Sequence, residues 1–280
     1  MYRIFYAEKD TTLYEKRPQQ NTGIDQILEL TKIPSSSRLN EVVQSNTYNS
    51  RVLIDFGSEI TSITSDITAG NIPSFANHPS SASAFIKLYT ANASDLLQGY
   101  ELKAFPVSES WSNGGGNYAD SPICKTGASW YYRTSDDIRD YWNTGSAHSV
   151  GQMGTTEKFN GGGAWITGST YEASQSFLNE SPDLRIDVTD IMQHFETGSI
   201  SNNGFIIKRP QPDELSGEVL GKLQFFSRES HTIYIPRLEV CWDDLNNEFL
   251  KALNVIVFPN PFLHLLIQYP IFPQQYALMK

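Results

Sequence analysis

Apolar and polar residues alternate with a period of two in several short segments of the chain. In the first of them, Ile4 and Tyr6 would share one face of a strand, and Arg3 and Phe5 the other. The segment 51–56 alternates in the same way and is apolar enough to form a buried central strand. Because successive side chains of a strand point to opposite faces of a sheet, this period predicts a β protein.

The other segments with this pattern are equally short and are separated by Gly, Asn and Pro. They are 10–15, 27–30, 84–89, 100–105, 183–188, 205–208, 225–227 and 237–242. Asn92–Asp95 is predicted to be a polar turn between two of them, and Asn202–Gly204 a turn before a third. Many short strands punctuated in this way are typical of sandwiches and jelly rolls. We therefore expect an all-β fold, a jelly-roll-like antiparallel β-sandwich with short helices.

Two short helices and one long insertion are expected to interrupt the strands. A weak helix is predicted over 58–67, and Thr189 is expected to cap a helix over Asp190–Glu196, which Gly198 ends. Residues 112–163 form a long, irregular, Gly-rich insertion. Long loops on a rigid sandwich often hold the residues that carry function.

The charge and cysteine content narrow the possible partners. The 280 residues include 31 Asp and Glu against 21 Lys and Arg, which gives a formal net charge of −10. An acidic surface repels phosphate groups, so a nucleic-acid partner is not expected. Cys124 and Cys241 are too few for a disulfide framework, and either one bridge or two free thiols would fit. The first residues contain no apolar core long enough for a signal peptide.

Motifs of the common enzyme classes do not occur in this chain. Signatures of nucleophile elbows, phosphate-binding loops and zinc-binding helices are missing. Paired carboxylates could serve glycoside hydrolysis, but any acidic sandwich offers such pairs, so an enzyme is not expected. Asp136 and Asp137 could supply two ligands to a structural calcium ion, with solvated surface charge as the alternative. No other cofactor is expected.

Aromatic residues in and beside the insertion are candidates for sugar binding. Trp111 and Trp130 are expected to fill the core. Trp142 and Trp165 have Gly neighbours and no clear strand period, so exposure and burial are both open for them. An exposed indole can stack on a sugar ring, and Tyr131, which is expected to lie in a strand, could join the same platform.

The segment after residue 245 has a different character. Residues 249–280 contain no Asp or Glu, and four prolines divide their apolar residues into short runs, which disfavours a membrane span. Three interpretations stay open: an arm that docks on a neighbouring subunit, a segment that packs on its own sandwich, and a segment read from a shifted frame. The residues predicted to dock are Val255, Phe258, Phe262, Leu265, Ile267 and Phe272.

A set of short motifs in the second half of the chain resembles a known family. The motifs are Val107–Trp111, Gly127–Trp130, Asp187–Phe195, Gly204–Lys208, Phe225–Ser230 and Ile235–Trp242. Their order and spacing resemble the DNRLRE-type modules, which are jelly-roll-like sandwiches of large surface proteins. They also resemble related virion structural proteins of T4-like marine phages, especially those of cyanobacteria. The resemblance covers roughly residues 1–245 and implies one sandwich there, with 246–280 as a C-terminal extension.

The resemblance implies a role in a phage particle rather than in metabolism. The expected function is a non-enzymatic scaffold or attachment part of the neck, baseplate or tail-fibre region, made in the host cytoplasm and assembled into the virion. Other virion proteins and further copies of the chain are the expected partners, because symmetric homo-oligomers are the usual form of such parts. The alternative is a carbohydrate-binding module that recognises host-surface glycans.

Overall fold

The computed structural model describes residues 1–34, 47–78, 80–135, 140–142, 161–178 and 182–243. The strands in this part of the chain are β1 (Tyr2–Tyr6), β2 (Lys9–Tyr14), β3 (Ile27–Pro34), β4 (Thr47–Asp55), β5 (Ala82–Leu88), β6 (Thr90–Ser94), β7 (Gly99–Pro106), β8 (Ala173–Leu178), β9 (Leu184–Asp187), β10 (Phe205–Lys208), β11 (Gly221–Phe226) and β12 (Arg237–Trp242). The α-helices are α1 (Gly57–Thr68), α2 (Thr189–Glu196) and α3 (Gln211–Leu215), and Arg228–Ser230 forms a short 3-10 helix.

The strands form two antiparallel sheets that pack face to face. The smaller sheet has four strands in the order β1-β12-β5-β9. The larger sheet has eight, in the order β6-β11-β3-β4-β10-β7-β8, and β2 also pairs with β4. The chain is therefore a mostly β, antiparallel sandwich, and the predicted fold class is confirmed.

The core between the sheets follows from the alternation along each strand. Val52 and Ile54 of β4 point into it, together with Ile86 of β5 and Val240 of β12. Ile60 and Ile63 of α1 close one side of the same core. These residues are at most 3% exposed, so each contributes most of its apolar area to the stability of the fold.

The larger sheet is covered on its other face as well. Leu53 of β4, Leu13 of β2 and Ile206 of β10 point away from the smaller sheet and pack against residues of the insertion. Covering on both faces explains why every residue from Ser50 to Asp55 is buried. The described part of the insertion therefore forms a third layer on the sandwich.

Three local predictions are corrected by the structure. Asn92–Ser94 belong to strand β6, which pairs with β11, and the turn comes at Asp95 with a φ of 55°. Thr189 is the first residue of α2, and its hydroxyl donates to Asp187 Oδ1 instead of capping the helix. Tyr131 lies in an irregular segment and not in a strand.

Candidate binding surfaces

The four tryptophans of the insertion region lie together under the surface. We call this cluster the tryptophan layer: Trp111, Trp130, Trp142 and Trp165, with Leu13, Leu53, Phe105, Val107, Ala128, Ala164 and Ile206. The indoles of Trp111 and Trp142 donate to backbone oxygens of Asn203 and Ser129, both at 2.9 Å. Because the ring nitrogens are satisfied inside the protein, these side chains serve the packing of the layer.

The burial of this layer decides between the two interpretations of Trp142 and Trp165. Each is 3% exposed, so neither presents a ring face to solvent, and the proposed exposed platform does not form. The reason is that the outer face of the larger sheet offers apolar surface that the insertion covers. Tyr131 is partly buried against the same layer. Trp111 and Trp130 lie in a core, as predicted.

A buried ion network joins the tryptophan layer to the sheet. Arg51 of β4 is fully buried and donates through Nε and a terminal nitrogen to the two carboxylate oxygens of Glu214, each at 2.9 Å. Its guanidinium lies 4.8 Å from the ring centre of Trp130 and 5.0 Å from that of Trp165. Lys208 Nζ approaches the same Glu214 carboxylate at 2.7 Å. One carboxylate thus balances two buried cations between aromatic rings.

Two lysines of this region have lowered pKa values because they are removed from solvent. Burial lowers the pKa of Lys208 to about 8, against the opposing attraction of Glu214. Burial also lowers the pKa of Lys32, whose ammonium donates to the backbone oxygen of Glu214 at 2.8 Å. These cations hold α3 against β3, β4 and β10, which gives them a structural explanation.

The insertion is also fastened to the connection between β2 and β3. The side chain of Asn21 donates to the backbone oxygens of Asn113 and Ala128, both at 2.8 Å, and accepts from Gly116 N at 2.8 Å. The guanidinium of Arg17 lies 4.0 Å from the ring centre of Tyr118. A single amide thus fixes three points of the insertion.

The smaller sheet, in contrast, has an outer face over which the described residues form no layer. Strand register places Tyr6, Arg237, Lys87 and Arg185 in one row across the four strands. The next row contains Ile4, Glu239, Phe85 and Asp187. Glu239 accepts from both Arg185 and Arg237 at 3.0 Å, and the Arg185 guanidinium lies 3.6 Å from the ring centre of Phe85. The face is therefore a mixture of aromatic rings and paired charges.

An exposed aromatic cluster continues this surface at the end of the strands. Tyr234 stacks on Phe226 with ring centres 5.6 Å apart and tilts against Tyr89 at 5.1 Å. The cations of Lys87 and Arg237 each lie 5.0 Å from the Tyr89 ring centre. Tyr234 is 43% exposed, so part of this cluster is accessible to a ligand.

A groove of about 390 Å³ lies where the edges of the two sheets meet. Its acidic lining residues are Glu172, Asp187 and Asp190. Glu172 is paired with Lys103, and Asp187 Oδ1 accepts from Thr189 N at 2.9 Å. Two of the three carboxylates therefore already have partners within the protein.

Three further predictions concern a metal site, the two cysteines and the docking residues. Among the residues that the structure describes, no group of three or more His, Cys, Asp or Glu could hold a metal ion. Cys124 and Cys241 are free, partly buried thiols. The calcium candidates Asp136 and Asp137 and the whole docking set from Val255 to Phe272 lie outside the described residues.

Sequence reasoning missed the residue that organises the buried network. Glu214 lies in α3, a helix of five residues for which no apolar period exists. The available signal was Pro210-Gln-Pro212, which is suited to a helix start, directly after two basic residues, Lys208 and Arg209. An acidic residue one turn after such a start has nearby cations to meet.

Comparison with known proteins adds no assignment to these surfaces. No protein-family model matches the chain, and a search of curated proteins gives no significant match. No helix within the described ranges is long and apolar enough to cross a membrane.

Proposed function

We propose that this chain is a non-enzymatic structural protein of a phage particle, a scaffold or attachment part of the neck, baseplate or tail-fibre region. The resemblance of its motifs to virion sandwiches motivates the proposal. The observation that carries it furthest is the third layer, in which the described part of the insertion covers the outer face of the larger sheet.

The side chains of the insertion support a structural role through what they contact. Trp111, Trp130, Trp142 and Trp165 are at most 4% exposed and pack on the larger sheet. Asn21 and Arg51 join that layer to distant parts of the chain by hydrogen bonds to Ala128 and Gly162. Such cross-links resist shear between layers, which suits a part that transmits force between larger components.

The outer face of the smaller sheet supports the same proposal from another direction. Tyr2 and Tyr6 are 67% and 48% exposed on a face that also has paired charges. Tyrosine and arginine are enriched where proteins contact one another. In this proposal, that face and the docking residues after 245 are the surfaces that engage neighbouring virion proteins.

The test is quantitative mass spectrometry of purified, fractionated particles. The proposal expects this protein in fixed ratio to the tail or neck proteins, at a copy number consistent with symmetry. Its absence from intact particles would overturn the proposal. A chain ending at residue 245 tests the docking segment separately, since normal incorporation of that variant would remove the role of residues 246–280.

A second function, recognition of a host-surface glycan, is favoured by the aromatic cluster of Tyr89, Phe226 and Tyr234. Sugar rings stack on flat aromatic faces while neighbouring polar groups bind their hydroxyls. Tyr234 is 43% exposed, and Lys87 and Arg237 supply donors beside the neighbouring ring of Tyr89. Both functions can coexist in one attachment part.

Titration with polysaccharide extracted from the host surface tests this second function. Tyr234→Ala should weaken binding at least about tenfold if one stacking contact is lost. Ile233→Ala, at the adjacent side chain that is 79% exposed, is the matched control and should bind normally. Equal binding by the Tyr234 variant and the wild type would refute the role of the cluster.

A further inference from the structure

Among the strands that the structure describes, β1 is an edge strand of the smaller sheet, with β12 as its one neighbour. It pairs with β12 on one side, in an uninterrupted register from Tyr2↔Cys241 to Tyr6↔Arg237. Met1 and Trp242 exchange backbone hydrogen bonds, and Ala7 N donates to Pro236 O. These two bonded positions show which residues of β1 bond to β12. In an antiparallel pair the bonded positions alternate, so the odd residues of β1 bond to β12. The N–H and C=O groups of Tyr2, Ile4 and Tyr6 therefore point to the open side.

The opposite edge of the same sheet is protected, which makes the exposure of β1 notable. At β9, Arg185 N donates to the side-chain oxygen of Gln175 at 2.7 Å, and the Gln175 amide approaches Asp183 O at 3.5 Å. Natural edge strands are usually blunted by Lys, Pro, bulges or covering side chains. The edge positions Tyr2, Ile4 and Tyr6 carry none of these in the described part of the chain.

We propose that β1 is the docking edge for a second copy of this chain, joined by antiparallel β1–β1 pairing about a two-fold axis at Ile4. The strand sequence, Tyr2-Arg3-Ile4-Phe5-Tyr6, is nearly symmetric about Ile4. Antiparallel pairing centred on Ile4 places Ile4 opposite Ile4 and each Tyr2 opposite the Tyr6 of the other copy. A two-fold interface needs this kind of self-complementarity.

The same register satisfies the open backbone groups. Tyr2, Ile4 and Tyr6 are the positions with outward N–H and C=O groups, and pairing about Ile4 turns all three into bonded pairs. A two-fold axis at Arg3 would leave Tyr6 of each copy outside the paired segment, and an axis at Phe5 would leave Tyr2 outside it. Because Phe5 is buried in the core, the tyrosines lie on the outer face, where the two copies would form continuous cross-strand tyrosine pairs. The two smaller sheets would become one continuous sheet.

The β1–β1 pairing does not depend on the proposed function. It uses only residues of β1 and stands whether or not the chain is a virion part. It also differs from docking through residues 246–280, because removal of that segment would leave the β1 pair intact. Failure of one proposal is therefore distinguishable from failure of the other.

Light scattering of the purified full chain across a concentration series provides the first test. We expect the mass of two copies, with a twofold fall for Ile4→Pro, which removes the central outward N–H while leaving the bonds to β12. Ile4→Thr keeps that N–H and a β-branched side chain, so it is the matched control and should stay dimeric. A wild-type chain that is monomeric throughout, or a folded Ile4→Pro variant that remains dimeric, overturns the proposal.

Disulfide trapping tests the register and does not depend on the proline variant folding. In a Cys124→Ser, Cys241→Ser background, Ile4→Cys should form a disulfide-linked dimer under mild oxidation, because facing residues of a bonded pair lie within disulfide range. Arg3→Cys, which would face Phe5 of the other copy, should not link to itself. Efficient linking through Arg3→Cys, or none through Ile4→Cys, rejects this register.

Discussion

Arg51 and Glu214 are 163 residues apart in sequence and form a fully buried, two-point ion pair with both N···O distances at 2.9 Å. The pair connects central strand β4 to the short helix α3, and Arg51 also donates to Gly162 O of the insertion at 2.7 Å. A buried pair is costly to desolvate, so its main effect is to specify which segments meet. Glu214 compensates the charge of Arg51 and also that of Lys208.

Replacing Glu214 with Gln should therefore destabilise the fold severely. The change removes the carboxylate that Arg51 and Lys208 share, and breaking a buried pair costs about 3–5 kcal/mol. Glu172→Gln is the matched control, since Glu172 pairs with Lys103 at a side-chain exposure of 37%. An exposed pair contributes about 0–1 kcal/mol. Urea unfolding of both variants measures the contrast, and equal midpoints would contradict the structural role of the network.

Trp165→Ala should destabilise the tryptophan layer without requiring any ligand. Trp165 is 3% exposed and lies beneath the Arg51 and Lys208 cations, so its removal leaves a cavity that costs about 3–5 kcal/mol. Tyr234→Ala, at an exposed ring, should change stability by less than about 1 kcal/mol. Thermal unfolding distinguishes the two. A Trp165 variant as stable as the wild type would mean that the insertion does not pack as described.

Gly204→Ala should be poorly tolerated because of both backbone and space. Gly204 has a φ of +82°, and a Cβ there would lie 2.4 Å from Ile54 O. Left-handed backbone alone costs an L-residue roughly 1–2 kcal/mol, and the clash adds to it. Gly198→Ala has φ +68° with no atom in reach, and Gly217→Ala has neither problem. The loss of unfolding free energy should be smallest for Gly217→Ala, larger for Gly198→Ala and largest for Gly204→Ala.

The buried carboxyl of Asp10 predicts a stability that depends on pH. Burial raises its pKa to about 7, partly offset by the bond it accepts from Arg228 N at 2.7 Å. Between pH 4 and 7 the folded protein then holds a proton that the unfolded chain has released, so this group lowers stability as pH rises. The full effect is at most roughly 4 kcal/mol.

Asp10→Asn should flatten that dependence, since the amide oxygen can still accept from Arg228 N. Asp25 contributes in the same direction, because burial raises its pKa to about 6. The unfolding free energy of the wild type should fall between pH 4 and 7 more steeply than that of the variant. Parallel curves for the two proteins would show that Asp10 ionises normally.

The sandwich itself was predictable because its strands alternate. The period of two at 51–56 identified β4, and the weak pattern at 58–67 identified α1, which the structure places at Gly57–Thr68. The N-terminal alternation predicted that Ile4 and Tyr6 lie on one face of β1 and Phe5 on the other, as observed. Local periodicity contains this information, since it depends only on which face of a strand meets the core.

The third layer was not predictable in the same way. Trp142 and Trp165 lie in irregular backbone, where no period tells a buried ring from an exposed one. Their burial follows from Leu13, Leu53 and Ile206 on the far face of the larger sheet, which are distant in sequence. Glu214 was missed for the same reason, because its partners lie on other strands.

The attachment of the insertion has a consequence for engineering. Trp142 N donates to Tyr131 O, and Gly162 N donates to Trp130 O, so residues 142 and 162 are held at adjacent carbonyls. The chain between them starts and returns at neighbouring anchors that are already fixed. Loop-closure entropy grows only slowly with length, by about 0.6 kcal/mol for each doubling. A longer chain between these two anchors should therefore cost the sandwich little closure entropy.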